Sequence, residues 1–196
     1  MPINALLLPV ISSSLDVDSR SRVLALRAVE SLRDAGHEAA LVDLAEANLP
    51  AFDNGAAFDN ARFKEIYDLI RTADAVVLAS PVYNWGLGSN LKNLIETTGA
   101  TWEGQRTAAW FDKVVTFICA GGLPHSYMGY TGLAGAMMLD FKCVINPYAV
   151  YSTDRDWDGP EAPSGQLLDR LEKTMTVHME LATLLGGRTY SSGWEI

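Results

Sequence analysis

The 196-residue chain has two cysteines, Cys119 and Cys143, and neither has a second Cys or a His at metal-ligand spacing. Two thiols cannot build a disulfide framework, and without an HExxH or CxxC there is no basis for a zinc site. Both lie in or beside apolar runs and read as buried thiols. Basic residues are also few: 15 Lys and Arg stand against 24 Asp and Glu, a net charge of -9. The cations are scattered, so neither nucleic acid nor an anionic membrane is expected as a partner. The GxSxG elbow of serine hydrolases is missing. So are the GxGxxG dinucleotide fingerprint and the GxxxxGK[ST] nucleotide loop. Met1 to Ile11 is too short to span a bilayer and lacks the basic start and small-residue cleavage site of a secretory signal. A cytoplasmic protein without membrane insertion is expected. No internal repeat or low-complexity tract interrupts the chain.

What is present is an apolar content of 48%, enough to bury a full core, arranged as strand then helix five times over. Ile3 to Ile11 reads as strand one. A helix follows from Ser19 with Val23, Leu24, Leu26, Ala28, Val29 and Leu32 at helical spacing, and Gly36 is its stop. Glu38 to Asp43 is strand two, and Leu44 to Asn60 a long irregular connection. Ala61 to Thr72 is helix two and Ala75 to Ala79 strand three. Helix three starts at Ser89, read as its N-cap, and ends near Gly99. Strand four covers Lys113 to Ala120, a short helix Thr131 to Phe141, strand five Cys143 to Tyr151, and a last helix Ser164 to Leu185.

Such alternation predicts an α/β fold, a doubly wound parallel sheet with helices on both faces. Five strands fit the flavodoxin-like order 2-1-3-4-5, whose switch point sets the loops after strands one and three side by side. The expected organisation is one domain over residues 1–185 and a tail over 186–196.

The loop after strand one, Ser12 to Arg22, is rich in hydroxyls and leads into a helix N-terminus. Free N–H groups and the helix dipole there favour a phosphate. Ser12, Ser14, Ser19, Arg20 and Ser21 are the candidate contacts. Asp16 and Asp18 oppose an anion unless they face solvent, and Arg20 or Arg22 can offset them. The plain alternative is a polar surface loop in which Ser19 only caps the helix.

The loop after strand three, Ser80-Pro81-Val82-Tyr83-Asn84-Trp85-Gly86, suits a flat aromatic ligand with a polar edge. Pro81 stiffens it, Gly86 and Gly88 allow close approach, and Tyr83 or Trp85 can cover a ring. The alternative is core packing of the two aromatics. Ser80 to Asn84 followed by Leu91-Lys92-Asn93 resembles the NADPH-dependent FMN reductase family, in which a P-x-Y-N loop precedes a helix containing L-K-N. Ser14, Ser19 and Ser21, followed by Leu24, fall at the spacing of that family's serine-rich phosphate loop. Trp85 and Gly88 replace the small residue and proline often found there, and Asp16 stands where many members have Arg. Thr98-Gly99 with Trp102 is similar to the T-G-x-x-W segment of related NAD(P)H:quinone oxidoreductases.

The resemblance implies an FMN site formed by the serine loop, by Pro81, Val82, Tyr83, Asn84, Trp85 and Gly86, and by Gly121 and Gly122 after strand four. It implies hydride transfer from NAD(P)H to FMN and on to a small-molecule acceptor, flavin or quinone, with azo dyes and metal oxyanions as other outputs. It also implies a homodimer or homotetramer. The cofactor carries such chemistry, so no catalytic side chain is assigned. His125 has two readings, a contact to nicotinamide phosphate or substrate and a surface residue. Trp102, Trp110, Trp157 and Trp194 lie in or near loops and tail, where they mark a contact surface, line the pocket or are buried. A non-enzymatic electron carrier and a ligand-binding regulatory domain remain the competing readings.

Overall fold

A computed structural model of the chain describes residues 5–100 and 108–187. Its central sheet is seven-stranded, and four strands set the frame: β1 (Val10–Ser12), β2 (Leu41–Asp43), β3 (Ala75–Tyr83) and β5 (Val114–Ala120). They run parallel in the order β2-β1-β3-β5, with Ser12 beside both Asp43 and Ala79, and Ala75 beside Val114. Strand five of the sequence reading is two strands, β6 (Val144–Ile145) and β7 (Val150–Ser152), which both pair with β5 around an irregular stretch. The short β4 (Gly86–Leu87) turns back antiparallel on β3. The flavodoxin-like order is therefore met, with one strand broken and one hairpin added.

The 15-residue helix α1 (Arg20–Asp34) and α6 (Gly165–Leu185) cover one face of the sheet. Leu24, Ala28 and Leu32 meet Val10, Val77 and Ile118 there, and Leu167, Leu171 and Met175 complete the layer. Leu26, expected on the inward face, is exposed, and Ser21 and Ala25 take the buried positions instead. The opposite face is covered by α3 (Ala61–Thr72), α4 (Ser89–Thr98) and α5 (Thr131–Phe141), packing Ile66, Leu91, Leu94 and Met137 onto Ile11, Leu78 and Phe117. Burial of both faces explains why β3 and β5 are continuous apolar runs. Gly36 ends α1 from φ +88°, with its N–H on the Arg33 carbonyl.

Several details differ from the sequence reading. The connection after β2 contains a short helix, α2 (Leu44–Ala47), because Asp43 Oδ1 accepts the Ala45 N–H and caps it. A 3-10 turn follows at Ala56–Asp59. The N-cap of α4 is Gly88, with no side-chain cap, and Ser89 is already helical. The polar loop before α6 holds a small hairpin, β8 (Trp157–Gly159) and β9 (Ala162–Pro163). Of the three readings left open for the tryptophans, Trp110 and Trp157 take burial. Trp110 goes inside because Thr98 Oγ1 accepts its indole N–H at 2.8 Å. Trp102, Trp194 and the tail beyond residue 187 lie outside the described residues. Among the described residues no helix is long and apolar enough to cross a membrane, and no cluster of His, Cys, Asp and Glu is arranged to hold a metal.

Candidate functional site

The sheet brings three segments to its carboxyl edge. Because β1 ends at Ser12 beside Ala79, Ser13 continues the ladder by one bond, its N–H on the Ala79 carbonyl at 2.9 Å. The chain then leaves the sheet through Ser14 and re-enters as α1. On the other side of β3, Pro81 lies beside Ala120, so Gly121 and Gly122 emerge next to Pro81 and Val82. The serine loop, the end of β3 and the glycine pair are thus neighbours, as the inferred topology requires.

In the serine loop, Ser12, Ser13, Ser14, Ser19 and Ser21 are all buried. Ser14 Oγ accepts the Asp16 N–H at 3.1 Å, and Asp16 Oδ1 accepts the Asp18 N–H at 3.0 Å, which folds both aspartates onto an exposed turn. Ser19 is the N-cap residue of α1 by position, but its side chain caps no helix N–H; Ser19 Oγ sits 2.9 Å from Ser21 Oγ. The Ser12 and Ser13 hydroxyls are buried without any hydrogen-bond partner. A buried, unpartnered polar group costs about 1–3 kcal/mol. Both belong to the segment that joins the end of β1 to the start of α1, where no side chain caps the helix. Ser13 was quoted in the sequence only as part of the loop; its burial, which composition does not reveal, singles it out.

Arg20 and Arg22 point elsewhere. Arg20 forms an ion pair with Asp154 and lies over the Trp157 ring, 5.2 Å from its centroid. Arg22 Nε donates to the buried Asp43 carboxylate at 2.5 Å.

Ser80 to Tyr83, read as loop, continue β3 as strand. Pro81 is tolerated because β1 has already ended on that side, so its missing N–H deprives no neighbour. Ser80 Oγ and the Pro81 carbonyl both receive the Gly88 N–H, at 3.1 and 3.2 Å, which closes the hairpin onto β4. Val82 pairs with Leu87 and Tyr83 with Gly86. The two turn residues, Asn84 at φ +49° and Trp85 at φ +66°, are both left-handed, the geometry of a type I′ turn. Gly86 and Gly88, read as allowing close approach, meet nothing closer than 3.6 Å at a built Cβ, and the left-handed backbone falls on Asn84 and Trp85.

Tyr83 and Trp85 are each 60% exposed, so neither is core. Trp85 stacks against His125, in the 3-10 segment Pro124–Tyr130 that follows the glycine pair. That segment docks on the hairpin at Gly129, where a Cβ would stand 2.9 Å from Val82 Cγ1. Gly121 is needed for another close approach: a Cβ there would meet Tyr151 Oη at 2.5 Å. The Tyr151 hydroxyl donates to the Leu123 carbonyl at 2.6 Å and lies 2.7 Å from Ser126 Oγ, bracing the glycine loop. Around Gly122 there is open space.

The L-K-N residues are structural. Lys92 pairs with Glu96 on the surface of α4, while Asn93 accepts the Phe52 N–H and donates to the Pro50 carbonyl, tying down the connection after α2. Cys119 and Cys143 are buried, and desolvation pushes both thiols up to about 12, which removes them as nucleophiles. A cleft of about 520 Å³ between α1 and α6 contains none of the candidate residues and is edged by the surface pair Arg27–Glu30.

This architecture has known counterparts. The FerB flavoenzyme NAD(P)H:(acceptor) oxidoreductase of Paracoccus denitrificans has a TM-score of 0.68 at 17% identity, over 90% of this chain and 98% of its own. RosB, solved with the bound intermediate 8-demethyl-8-formylriboflavin-5'-phosphate, reaches 0.77 at 17% identity, over 96% and 83%. The flavodoxin WrbA-like protein of Agrobacterium tumefaciens gives 0.62 at 16%, over 90% and 96%. At such identities these are likenesses of fold. No curated protein sequence matches the chain. The model of the NADPH-dependent FMN reductase family matches residues 7–139, which carry the serine loop, the Tyr83–Asn84 hairpin and the glycine pair. The chain belongs to the NADPH-dependent FMN reductase family, and it is a flavin-dependent NAD(P)H oxidoreductase that uses FMN and acts on small-molecule acceptors.

Proposed function

We propose that FMN is held along the carboxyl edge, its phosphate in the cradle of Ser12, Ser13, Ser14, Ser19 and Ser21 and its ring system against Pro81 to Gly86 and Gly121–Gly122. The observation that carries this reading is the pair of buried, unpartnered hydroxyls of Ser12 and Ser13 beside the uncapped start of α1. Both hydroxyls are donors in search of an acceptor, and a phosphate presents several. When bound, FMN supplies the hydride-accepting and hydride-donating chemistry.

The chain's own residues orient and enclose. Backbone N–H groups of the hairpin and of the glycine loop offer donors to a polar ring edge, held at fixed spacing by the Ser80–Gly88 and Tyr151–Leu123 hydrogen bonds. Trp85 and Tyr83 present apolar surface to a second planar molecule, NAD(P)H or acceptor. Flavin is the preferred acceptor and quinone the alternative. A homodimer or homotetramer is supported by the apolar groups exposed along the same edge, among them Leu15, Val17, Leu123 and Met128. The FMN-binding domain is taken as residues 1–185, the tail as 186–196, and the compartment as the cytoplasm.

Absorbance of the purified protein after FMN addition, followed by NAD(P)H oxidation with a panel of free flavins and quinones, tests the reading. Bound-flavin absorbance together with acceptor-dependent turnover is expected. Flavin binding without NAD(P)H turnover would make the protein a carrier instead, and absence of both would overturn the site.

A further inference from the structure

A cleft of about 210 Å³ lies beside the serine loop, on the β2 side and away from the glycine pair. Leu15 comes to it from that loop, Leu44, Asn48 and Leu49 from α2 and the residues after it, and Asn90 and Asn93 from α4. The walls are tied down. Asp43 accepts the Ala45 N–H at the start of α2 and the Arg22 Nε–H from α1, at 3.0 and 2.5 Å. Asn93 accepts the Phe52 N–H at 2.7 Å and donates to the Pro50 carbonyl at 2.9 Å. A pre-formed cleft lowers the ordering cost of binding.

Its lining is leucine and amide. No cation and no carboxylate is among the described residues that form it. Leu15 is 61% exposed although Ser14 beside it is buried, so an apolar side chain stands in water at the cleft. Asn93 engages its amide with the connection after α2, whereas the Asn48 and Asn90 side chains have no hydrogen-bond partner among the described residues. An amide sets an acceptor and a donor side by side, the complement of the N6–H and N7 edge of adenine. Leucine side chains suit the faces of a flat base. A phosphate finds no charge here to pair with, and a base needs none.

The chain uses NAD(P)H, and only the nicotinamide end of that molecule takes part in hydride transfer. The adenosine end needs a place within reach of the ring wall. Asn90 lies two residues after Gly88, whose N–H closes the hairpin on Ser80 and Pro81, and Leu15 follows Ser14 of the serine loop. The cleft therefore flanks both parts of the flavin site. Resting on the flavin site proposed above, we infer that this cleft is the adenine subsite for NAD(P)H, where Asn48 and Asn90 read the edge of the base between leucine walls.

Calorimetric titration of the FMN-saturated full chain with AMP and with CMP tests the subsite, since the two nucleotides differ only in the base. A preference for AMP of about tenfold is expected, the scale of one bidentate contact between an amide and adenine. Asn48→Gly/Asn90→Ala removes both amides, and glycine keeps the left-handed turn that Asn48 makes at φ +45°. In that variant the ratio is expected to fall below about threefold. Turnover gives a second reading. NADH is expected to exceed reduced nicotinamide mononucleotide, which lacks the adenosine half, by at least about tenfold in kcat/KM, and the double variant to shrink that advantage about fivefold. Because each ratio is taken within one protein, a general loss of fold or flavin cancels. Equal binding of AMP and CMP by the wild type overturns the inference, as do equal kcat/KM values for NADH and the mononucleotide. An AMP preference or a NADH advantage that survives intact in the double variant puts the base elsewhere and overturns it too. A folded chain that takes up no FMN overturns the flavin site, and the AMP-to-CMP ratio measured without flavin then still decides whether the cleft reads adenine.

Discussion

The Trp85 ring lies against the His125 imidazole, with centroids 5.1 Å apart and planes inclined by 37°, and Trp85 reaches this stack from φ +66°. A left-handed backbone costs a bulky residue about 1–2 kcal/mol, while an exposed ring contact returns about 0.5–1.5 kcal/mol. The stack does not clearly offset the strain. Retained strain at an exposed aromatic points to use rather than stability. Trp85→Gly makes the turn Asn-Gly, the preferred type I′ pair. Urea unfolding is expected to show stability unchanged or raised by about 1 kcal/mol, while the KM for flavin or quinone acceptors rises several-fold. A loss of more than about 1 kcal/mol would mean that the stack with His125 holds the hairpin.

Ser12 and Ser13 are expected to show opposite effects on stability and on binding. Their buried hydroxyls have no partner, so Ser12→Ala/Ser13→Ala removes a desolvation cost and is expected to leave the flavin-free protein as stable or up to about 2 kcal/mol more stable. FMN affinity, measured by fluorescence, is expected to fall at least about tenfold in the same variant. Lower stability together with unchanged FMN affinity assigns these hydroxyls to packing alone.

Gly121 is fixed by the Tyr151 hydroxyl, since a Cβ would stand 2.5 Å from that oxygen and 3.3 Å from Tyr151 Cζ. Gly121→Ala must push the hydroxyl off the Leu123 carbonyl and off Ser126. A destabilisation of about 1–3 kcal/mol is expected in urea, the scale of overpacking with a lost hydrogen bond. Adding Tyr151→Phe removes the clashing oxygen, so the double variant is expected to be no less stable than Gly121→Ala alone. Strict additivity of the two losses would show that the groups do not compete for one space.

His178 sits fully buried on α6, its Nδ1 2.8 Å from Thr116 Oγ1. Thr116 also accepts from Asn146 Nδ2 at 2.9 Å, so the ring closes a polar network beneath the sheet. Desolvation, with a smaller push from His37, lowers the imidazole pKa to about 3. An unfolded His protonates near pH 6.5. Between these values the unfolded chain holds the extra proton, so stability falls as pH drops from about 6.5 toward 3, by about 2 kcal/mol at pH 5. Urea midpoints at neutral pH and at pH 5 measure this loss. His178→Leu is expected to flatten the difference, and an unchanged slope would place the acid sensitivity on other groups.

Much of the fold was legible because it follows from local pattern. Continuous apolar runs at Ala75–Ala79 and Val114–Ala120, each followed by turn residues and an amphipathic stretch, specify buried parallel strands with helical crossovers. The serine loop and the Tyr83–Asn84 segment were legible for the same reason, since strand ends set where loops emerge. What stayed hidden depended on neighbours. A run of apolar residues marks a strand but not its end, so the continuation of β3 through Pro81 to Tyr83 needed the partner strand Val114–Ala120 and the hairpin bond to Gly88. The left-handed residues Asn84 and Trp85 stayed hidden too, because φ there is decided by closure of the hairpin.

The sequence by itself determined an α/β chain with two chemistry-bearing loops at one sheet edge, because periodicity and turn chemistry act over a few residues. Only the tertiary structure decided what each side chain faces. Arg20 and Arg22 read as cations available to a phosphate, but Asp154, 134 residues further on, takes one and Asp43 the other. For Trp110 the sequence left contact surface, pocket lining and burial open, and the Thr98 hydroxyl made its burial possible. Ser12 read as a candidate phosphate contact and Ser13 only as part of its loop, and only packing showed that both hydroxyls are shut away from water without partners. Pairing, burial and desolvation are properties of groups distant in the chain and adjacent in space, and they decided which members of the serine loop are left without partners.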